Sequence, residues 1–332
     1  MFLPWCWVGL HALVSAVATQ WVYKYAVRHM RMDQPGERHN HQDVTPRGGG
    51  MSIVVALLVG SSIAWFYWPH LALYLAGGVA GLVMVAWIGW LDDHRSAPIL
   101  LRLLIHGVAS ALIAGMVYRA DGNGILAGAI FVLTVALINV WNFMDGINGL
   151  ATSQAALVSM VYAYCLPFPA CVFALALSFS CLGFLPFNFP RARIFLGDSG
   201  SGALGYLMAV CLALWLINTK DDLSISWIPL SIFAVDAGLT LLRRVLAQER
   251  WWEPHSQHAY QRAVRSGLSH TQVTLYYLCL SGVAALLFIY TQHLQIGKAK
   301  ICALIWGCAL CLSWWIVYSK LNKSKRLKDS VS

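Results

Sequence analysis

Charge is what this chain has least of. Only 11% of its 332 residues are Asp, Glu, Lys or Arg, and 14 are acidic, against 59% hydrophobic residues and a mean hydropathy of +0.63. That composition excludes a soluble globular chain. No soluble domain interrupts the apolar runs, and the longest polar stretches are only about 25–50 and 243–270. There is no internal repeat and no low-complexity tract, which weighs against transporters built from repeated halves. The nine cysteines all lie inside apolar runs, so neither a disulfide framework nor a structural zinc site is indicated. Cys308 and Cys311 read as small packing residues. The first apolar run lacks a basic leader and a small-residue cleavage site, and so reads as a retained anchor.

What the chain does have is length of apolar run. Eleven segments approach the roughly 17 to 25 residues that cross a bilayer, at about 3–24, 51–67, 71–91, 99–118, 125–141, 152–166, 170–187, 201–218, 225–242, 271–292 and 299–318. The segment at 152–166 is short, and 170–187 carries Pro186 near its end. All but Arg119, Lys220, Lys298 and Lys300 of the 23 lysines and arginines fall on one side if alternate loops share a side. Basic residues mark the cytoplasmic face. The expected fold is therefore an all-α integral membrane bundle of about eleven transmembrane helices, with the N-terminus periplasmic and the C-terminus cytoplasmic. Residues 1–332 form one transmembrane domain, with cytoplasmic loops at about 25–50, 92–98, 142–151, 188–200 and 243–270. The net charge of +9 is then a sign of topology, and no nucleic-acid partner is implied.

The scarce carboxylates collect in those loops. Asp92 and Asp93 adjoin one another at a helix end, where they repel unless a cation or strong donors compensate; magnesium accepts such a pair and keeps positions for water and phosphate oxygens. A solvated helix end beside Arg95 is the alternative. The stretch Asn142-Phe143-Met144-Asp145-Gly146-Ile147-Asn148-Gly149 offers amides and a carboxylate on a backbone that can approach a ligand. If it stays helical, the spacing of three puts Asn142, Asp145 and Asn148 on one side. In Arg191-Ala192-Arg193-Ile194-Phe195-Leu196-Gly197-Asp198-Ser199-Gly200, a glycine-rich entry to a helix suits a phosphate, with Arg191 and Arg193 as complementary charge. Asp198 there is either a ligand or a helix cap.

Three other features carry weaker signals. His255 and His258, three apart, would meet on one face as phosphate donors or acid/base groups; zinc lacks a third and fourth ligand. Trp251 and Trp252 beside them read as interfacial anchors. The loop from Asp33 through Arg47 to Gly50 either folds over an anionic ligand or is a solvated connector. Asp236 lies about seven residues, or roughly 10 Å, before Arg243 and Arg244. An ionisable group at that depth is paired or functional, and a supporting role is the favoured one.

These loops, in this order from Asp33 to Arg262, resemble the polyprenyl-phosphate N-acetylhexosamine-1-phosphate transferase family (glycosyltransferase family 4). The resemblance implies a Mg2+-dependent enzyme of the bacterial inner membrane, with Mn2+ as a substitute ion and the active site on the cytoplasmic face. It would move a sugar-1-phosphate from a UDP-N-acetylhexosamine-type nucleotide sugar, deoxy forms included, to undecaprenyl phosphate in the lipid bilayer, and release UMP. Asp92 and Asp93 match the family's Asp-Asp motif, Asp145 and Asn142 its Asn-x-x-Asp-Gly segment, and Asp198 its magnesium-binding Gly-Asp motif. His258, with His255, falls in the histidine loop. Catalytic roles thus go to Asp92, as base, with Asp93, Asp145 and His258. Substrate-binding roles go to Asn142, Asn148, Arg191, Arg193 and His255, and metal ligation to Asp198 with Asp93. The family's lysine after Asp-Asp is missing, with Ser96 in that region, and the histidines are not contiguous. Both departures bring the chain closer to the O-antigen-initiating branch of lipopolysaccharide synthesis than to the phospho-N-acetylmuramoyl-pentapeptide translocase of peptidoglycan synthesis. A homodimer is compatible with all of this. The rival in another class is a membrane ion transporter, which would place its charges near the midplane rather than at helix ends.

Overall fold

Backbone N–H and C=O groups without access to water must be satisfied inside their own segment, and in an apolar run the helix does this. The computed structural model describes residues 2–29, 32–33, 45–219, 222–250, 253 and 255–329. Its helices are α1 (Phe2–Arg28), α2 (Met51–Tyr67), α3 (Ala72–His94), α4 (Ile99–Asp121), α5 (Gly124–Met144), α6 (Leu150–Cys165), α7 (Ala170–Asn188), α8 (Asp198–Thr219), α9 (Leu223–Ser226), α10 (Ser231–Leu246), α11 (Ala259–Arg265), α12 (His270–Thr291) and α13 (Ile296–Asp329). Two short strands, β1 (Met32–Asp33) and β2 (Thr45–Pro46), pair antiparallel. The segment read as one apolar run at 225–242 is broken: α9 gives way to a 3-10 turn at Ile228–Leu230 before α10 begins. Pro229 in that turn has no N–H to continue a helix.

Among the described residues, eight helical spans are long and apolar enough to cross a membrane. The chain is a multi-pass membrane protein by that measure. The sequence count of about eleven adds α1, with 27 residues, and the shorter apolar helices α2 and α6. At about 1.5 Å per residue the 16 residues of α6 reach roughly 24 Å, less than the hydrocarbon thickness of about 30 Å. Burial explains how so short a helix is kept. Most α6 side chains are covered, by α7, α8 and α12.

The centre of the bundle is α8. Its apolar window is 78% buried, against 17% for α13 at the periphery. Glycines let neighbours reach its backbone. A Cβ on Gly50 would stand 2.2 Å from the Gly200 Cα, and one on Gly89 would stand 2.4 Å from the Asp198 carbonyl oxygen. Only hydrogen fits at such distances. The start of α2 and the end of α3 are thereby drawn against the first turn of α8.

Candidate active site

The site begins with backbone pairing. Phe195 N donates to Pro46 O (2.7 Å), Gly49 N to Phe195 O (2.8 Å) and Gly50 N to Leu196 O (2.8 Å). Gly197, at φ +78°, then turns the chain into α8. The first N–H groups of that helix have no partner of their own, and the sequence leaves open whether Asp198 caps them. They are capped from elsewhere. Asp198 N donates to Asp93 Oδ1 at 2.9 Å and Ser199 N to Asp93 Oδ2 at 3.1 Å. A carboxylate at the positive end of a helix is favoured by the dipole as well as by the bonds. Asp93 is only 3% exposed, and Arg47 lies 3.3 Å from it. Each oxygen accepts one backbone N–H of α8, a capping role that the sequence reading of Asp93 as a metal ligand does not include.

Because Asp93 takes the cap, the Asp198 side chain is left for other work. It is 28% exposed and 3.6 Å from Arg47, and it accepts Asn142 Nδ2 at 3.2 Å. The same amide reaches Ser201 Oγ at 3.3 Å. Asn142 thus holds the Asp198 carboxylate, where the sequence reading expects a substrate ligand.

Asp145 follows directly after α5. Among the described residues nothing donates to its carboxylate. Burial, and then the Asp198 and Asp93 carboxylates, push its pKa up to about 8, with Arg47 pulling the other way. Three carboxylates, Asp93, Asp145 and Asp198, therefore share one facing guanidinium among the described residues. Asp92 borders this group through a side-chain hydrogen bond with Asp198, while its oxygens accept Ala97 N and Arg102 Nη1, both at 2.7 Å. Arg102 and Ala97 thus hold the carboxylate that the sequence reading casts as the base. It lines a small pocket with Arg102, His106, Asn139, Asn142 and Asp198, between α3, α4, α5 and α8.

The two histidines do meet, with ring centroids 4.9 Å apart. His258 is 2% exposed and lies between the Phe143 ring (6.0 Å) and the Tyr260 ring (5.9 Å). Burial lowers its pKa, against the raising effect of Asp236. Burial, His258 and Arg244 bring His255 down to about 4. Both rings are neutral at pH 7.

Other expected ligands are placed elsewhere. α5 stops at Met144, so the assumed helical spacing fails, and Gly149 at φ +73° turns the chain into α6. Asn148 consequently points away from Asp145: Nδ2 donates to Pro190 O (3.1 Å) and its carbonyl accepts Thr274 Oγ1 (2.9 Å). It ties this turn to the next loop and to α12. Arg191 and Arg193 are exposed, and Arg193 stacks over Phe187 at 4.9 Å. Most of the first loop, 34–44, and the pair Trp251 and Trp252 lie outside the described residues. Arg47 and Tyr260 were not singled out from the sequence as site residues. The only signal for Arg47 is the glycine run after it, which permits the pairing with 195–196.

Among the described residues no three Asp, Glu, His or Cys groups close on one point as a ready metal cage. The donor chemistry still suits a hard cation. Asp145 and Asp198 are crowded oxygen donors, a cation between them would draw the raised Asp145 pKa back down, and magnesium completes such a partial set with water and phosphate oxygens.

Comparison with known proteins adds an independent line. A family profile described as Glycosyl transferase family 4 matches residues 75–216, which takes in Asp92, Asp93, Asp145 and Asp198. The chain is 30% identical to a decaprenyl-phosphate N-acetylglucosaminephosphotransferase of Mycobacterium leprae, over 84% of this chain and 81% of that one. It is 28% identical to a probable undecaprenyl-phosphate N-acetylglucosaminyl 1-phosphate transferase of Bacillus subtilis, over 79% and 78%. A phospho-N-acetylmuramoyl-pentapeptide-transferase of Thermosynechococcus vestitus is similar over only 54% of each chain, at 30% identity.

Proposed function

We propose a function from one premise: the chain belongs to glycosyl transferase family 4, the polyprenyl-phosphate N-acetylhexosamine-1-phosphate transferases. It is a membrane transferase that moves an N-acetylhexosamine-1-phosphate from a UDP-sugar to undecaprenyl phosphate and releases UMP. The relatives' names favour N-acetylglucosamine as the sugar, and the product would begin O-antigen or a related surface polysaccharide. The observation that carries this reading is the carboxylate group at the head of α8, where Asp93, Asp145 and Asp198 face Arg47 alone among the described residues.

Two anionic reactants must meet there, so repulsion is the first barrier. Asp198 and Asp145 would hold a Mg2+ ion, which offsets the charge of the diphosphate and of the departing UMP. Asn142 keeps the Asp198 carboxylate oriented, and Asp93 keeps α8 and Arg47 in register. An oxygen of the lipid phosphate attacks the sugar-bearing phosphorus, forming the new P–O bond as the bond to UMP breaks. A phosphate monoester with a second pKa near 6 is largely dianionic at pH 7. The attack therefore needs no strong base, which agrees with an Asp92 already bound to Arg102. Neutral His258 and His255 act as hydrogen-bond donors to the nucleotide sugar. The apolar runs support eleven membrane crossings, and the distribution of Lys and Arg supports placing these loops on the cytoplasmic side of the inner membrane.

The test is purified protein with undecaprenyl phosphate, Mg2+ and a panel of UDP-sugars that includes UDP-N-acetylmuramoyl-pentapeptide, read by product mass. A polyprenyl diphosphate N-acetylhexosamine is expected, with turnover lost in EDTA and restored by Mg2+. Transfer of the muramoyl-pentapeptide alone, or transfer indifferent to EDTA, would overturn it.

A further inference from the structure

The proposed reaction makes no use of Asp236, yet no other carboxylate among the described residues is so thoroughly bonded. It lies in α10 and is 2% exposed. Its Oδ1 accepts Ala259 N (2.8 Å), Trp314 Nε1 (2.9 Å) and Thr240 Oγ1 (3.4 Å). Its Oδ2 accepts the Tyr277 hydroxyl (2.6 Å) and Tyr260 N (3.4 Å). A carboxylate offers about four lone-pair sites, so this one has nothing left for a ligand or a proton relay. Its partners come from α10 itself, the start of α11, α12 and α13. The group joins four helices.

One of those helices cannot hold itself. α11 has seven residues, well below the length at which an isolated helix is stable in water. Its first two N–H groups, of Ala259 and Tyr260, go to Asp236, and a capping box between His258 and Gln261 completes the helix start. What α11 carries is aimed at the reaction site. The Tyr260 hydroxyl donates to Phe143 O at 2.9 Å, and a Cβ on Gly146 would stand 2.2 Å from the same hydroxyl oxygen. The phenol head thus rests on the backbone both before and after Asp145. His258, just ahead of α11, stacks on the Phe143 ring. A shift of α11 would be felt at Asp145 through two contacts.

We propose that Asp236 is a positioning residue for the transfer reaction: through α11 it fixes Tyr260 and His258 against the turn that carries Asp145, and through Trp314 it makes α13 part of the same clamp. The kinetic side of this rests on the function proposed above; the mechanical side does not. α13 is the least buried of the candidate spans, and its contacts gather on this corner. Trp306 Nε1 donates to Ser231 Oγ at 2.9 Å, and the Tyr318 ring lies under the Arg262 and Arg243 guanidinium groups at 4.3 and 5.3 Å.

The experiment uses the full chain in lipid nanodiscs, as wild type, Asp236→Asn and Trp314→Phe. Transfer kinetics are measured alongside amide hydrogen exchange of the 143–149 and 259–265 segments. Asp236→Asn should lower kcat about a hundredfold, the scale of a small misplacement of reacting groups. The KM for undecaprenyl phosphate should move less than about threefold, since Asp236 fixes His258 on the nucleotide-sugar side and no group assigned to the lipid phosphate. Exchange should quicken in both segments and stay unchanged in α4. Trp314→Phe removes one donor of five and should cost about three- to tenfold in kcat with the same exchange signature. If Asp236→Asn fails to fold, Trp314→Phe decides. Wild-type kcat in a folded variant, or faster exchange confined to 259–265 with 143–149 unmoved, would overturn the proposal. If the wild type transfers no sugar from any nucleotide, the functional reading falls, and exchange at 143–149 still decides the clamp.

Discussion

Two carboxylate centres lie at the same end of this bundle, and they are built on opposite terms. Asp236 is surrounded by five donors and carries no spare lone pair. Asp145 and Asp198 are the reverse: Asp198 has one amide bond, a side-chain hydrogen bond with Asp92 and Arg47 at 3.6 Å, and among the described residues nothing donates to the Asp145 carboxylate. Both centres even share a device, since Asp93 caps α8 and Asp236 caps α11 across long sequence separations. The difference lies in what remains after capping. A saturated carboxylate contributes rigidity, whereas repelling carboxylates store a charge that only a cation or a cationic group can offset. The first centre serves the fold and the second serves a ligand.

Substitution should therefore change stability with opposite sign at the two centres. The largest effect is expected for Asp198→Asn, which should reduce transfer about a thousandfold with no loss of thermal stability, measured by product formation and by melting in Mg2+-free buffer. Asp145→Asn should match it in activity and raise Tm by about 2–4 °C at pH 9 without Mg2+, where a carboxyl with a pKa of about 8 is charged and its repulsion by Asp198 and Asp93 is removed by the substitution. A lowered Tm in either variant would break the comparison. Asp93→Ala should behave like the structural centre. Loss of the α8 cap should cost about 1–2 kcal/mol in denaturant unfolding, along with reduced activity as Arg47 loses its anchor.

The smallest effect concerns His255. Its folded pKa of about 4 lies below the ordinary 6.5, so the unfolded chain binds more protons between those values. The stability that the neutral ring supports is present above about pH 6.5 and is lost as pH falls toward 4. Proteolysis of the loop before α11 should accelerate over that range, and His255→Gln should flatten the response.

Much of the site was legible before any coordinates. Asp92, Asp93, Asp145 and Asp198 stood out because carboxylates are costly in a chain this apolar, and the helix ends bring Asp93, Asp145 and Asp198 together. What was hidden has a common cause, which is dependence on partners distant in sequence. Arg47 reaches Asp93 and Asp198 only because residues 46–50 pair with 195–196. The commitment of Asp236 could not be foreseen without Tyr277 and Trp314 beside it. Asn148 misled for a local reason, as the helix assumed to carry it stops at Met144. The membrane reading was plain from composition, though the interruption near Pro229 was lost within a continuous apolar run.

Every donor to Asp236 follows it in the chain, from Thr240 to Trp314. During synthesis this carboxylate must enter the membrane before most of its partners exist, and the Trp314 donor arrives only with α13. Until then a buried anion is incompletely bonded, and α11 lacks a settled anchor. The turn bearing Asp145 would reach its working shape only once α13 has docked. A chain lacking α13 could bring Asp93, Asp145 and Asp198 together and still be inactive, because Trp314 supplies a fastening of the active site that the preceding helices do not.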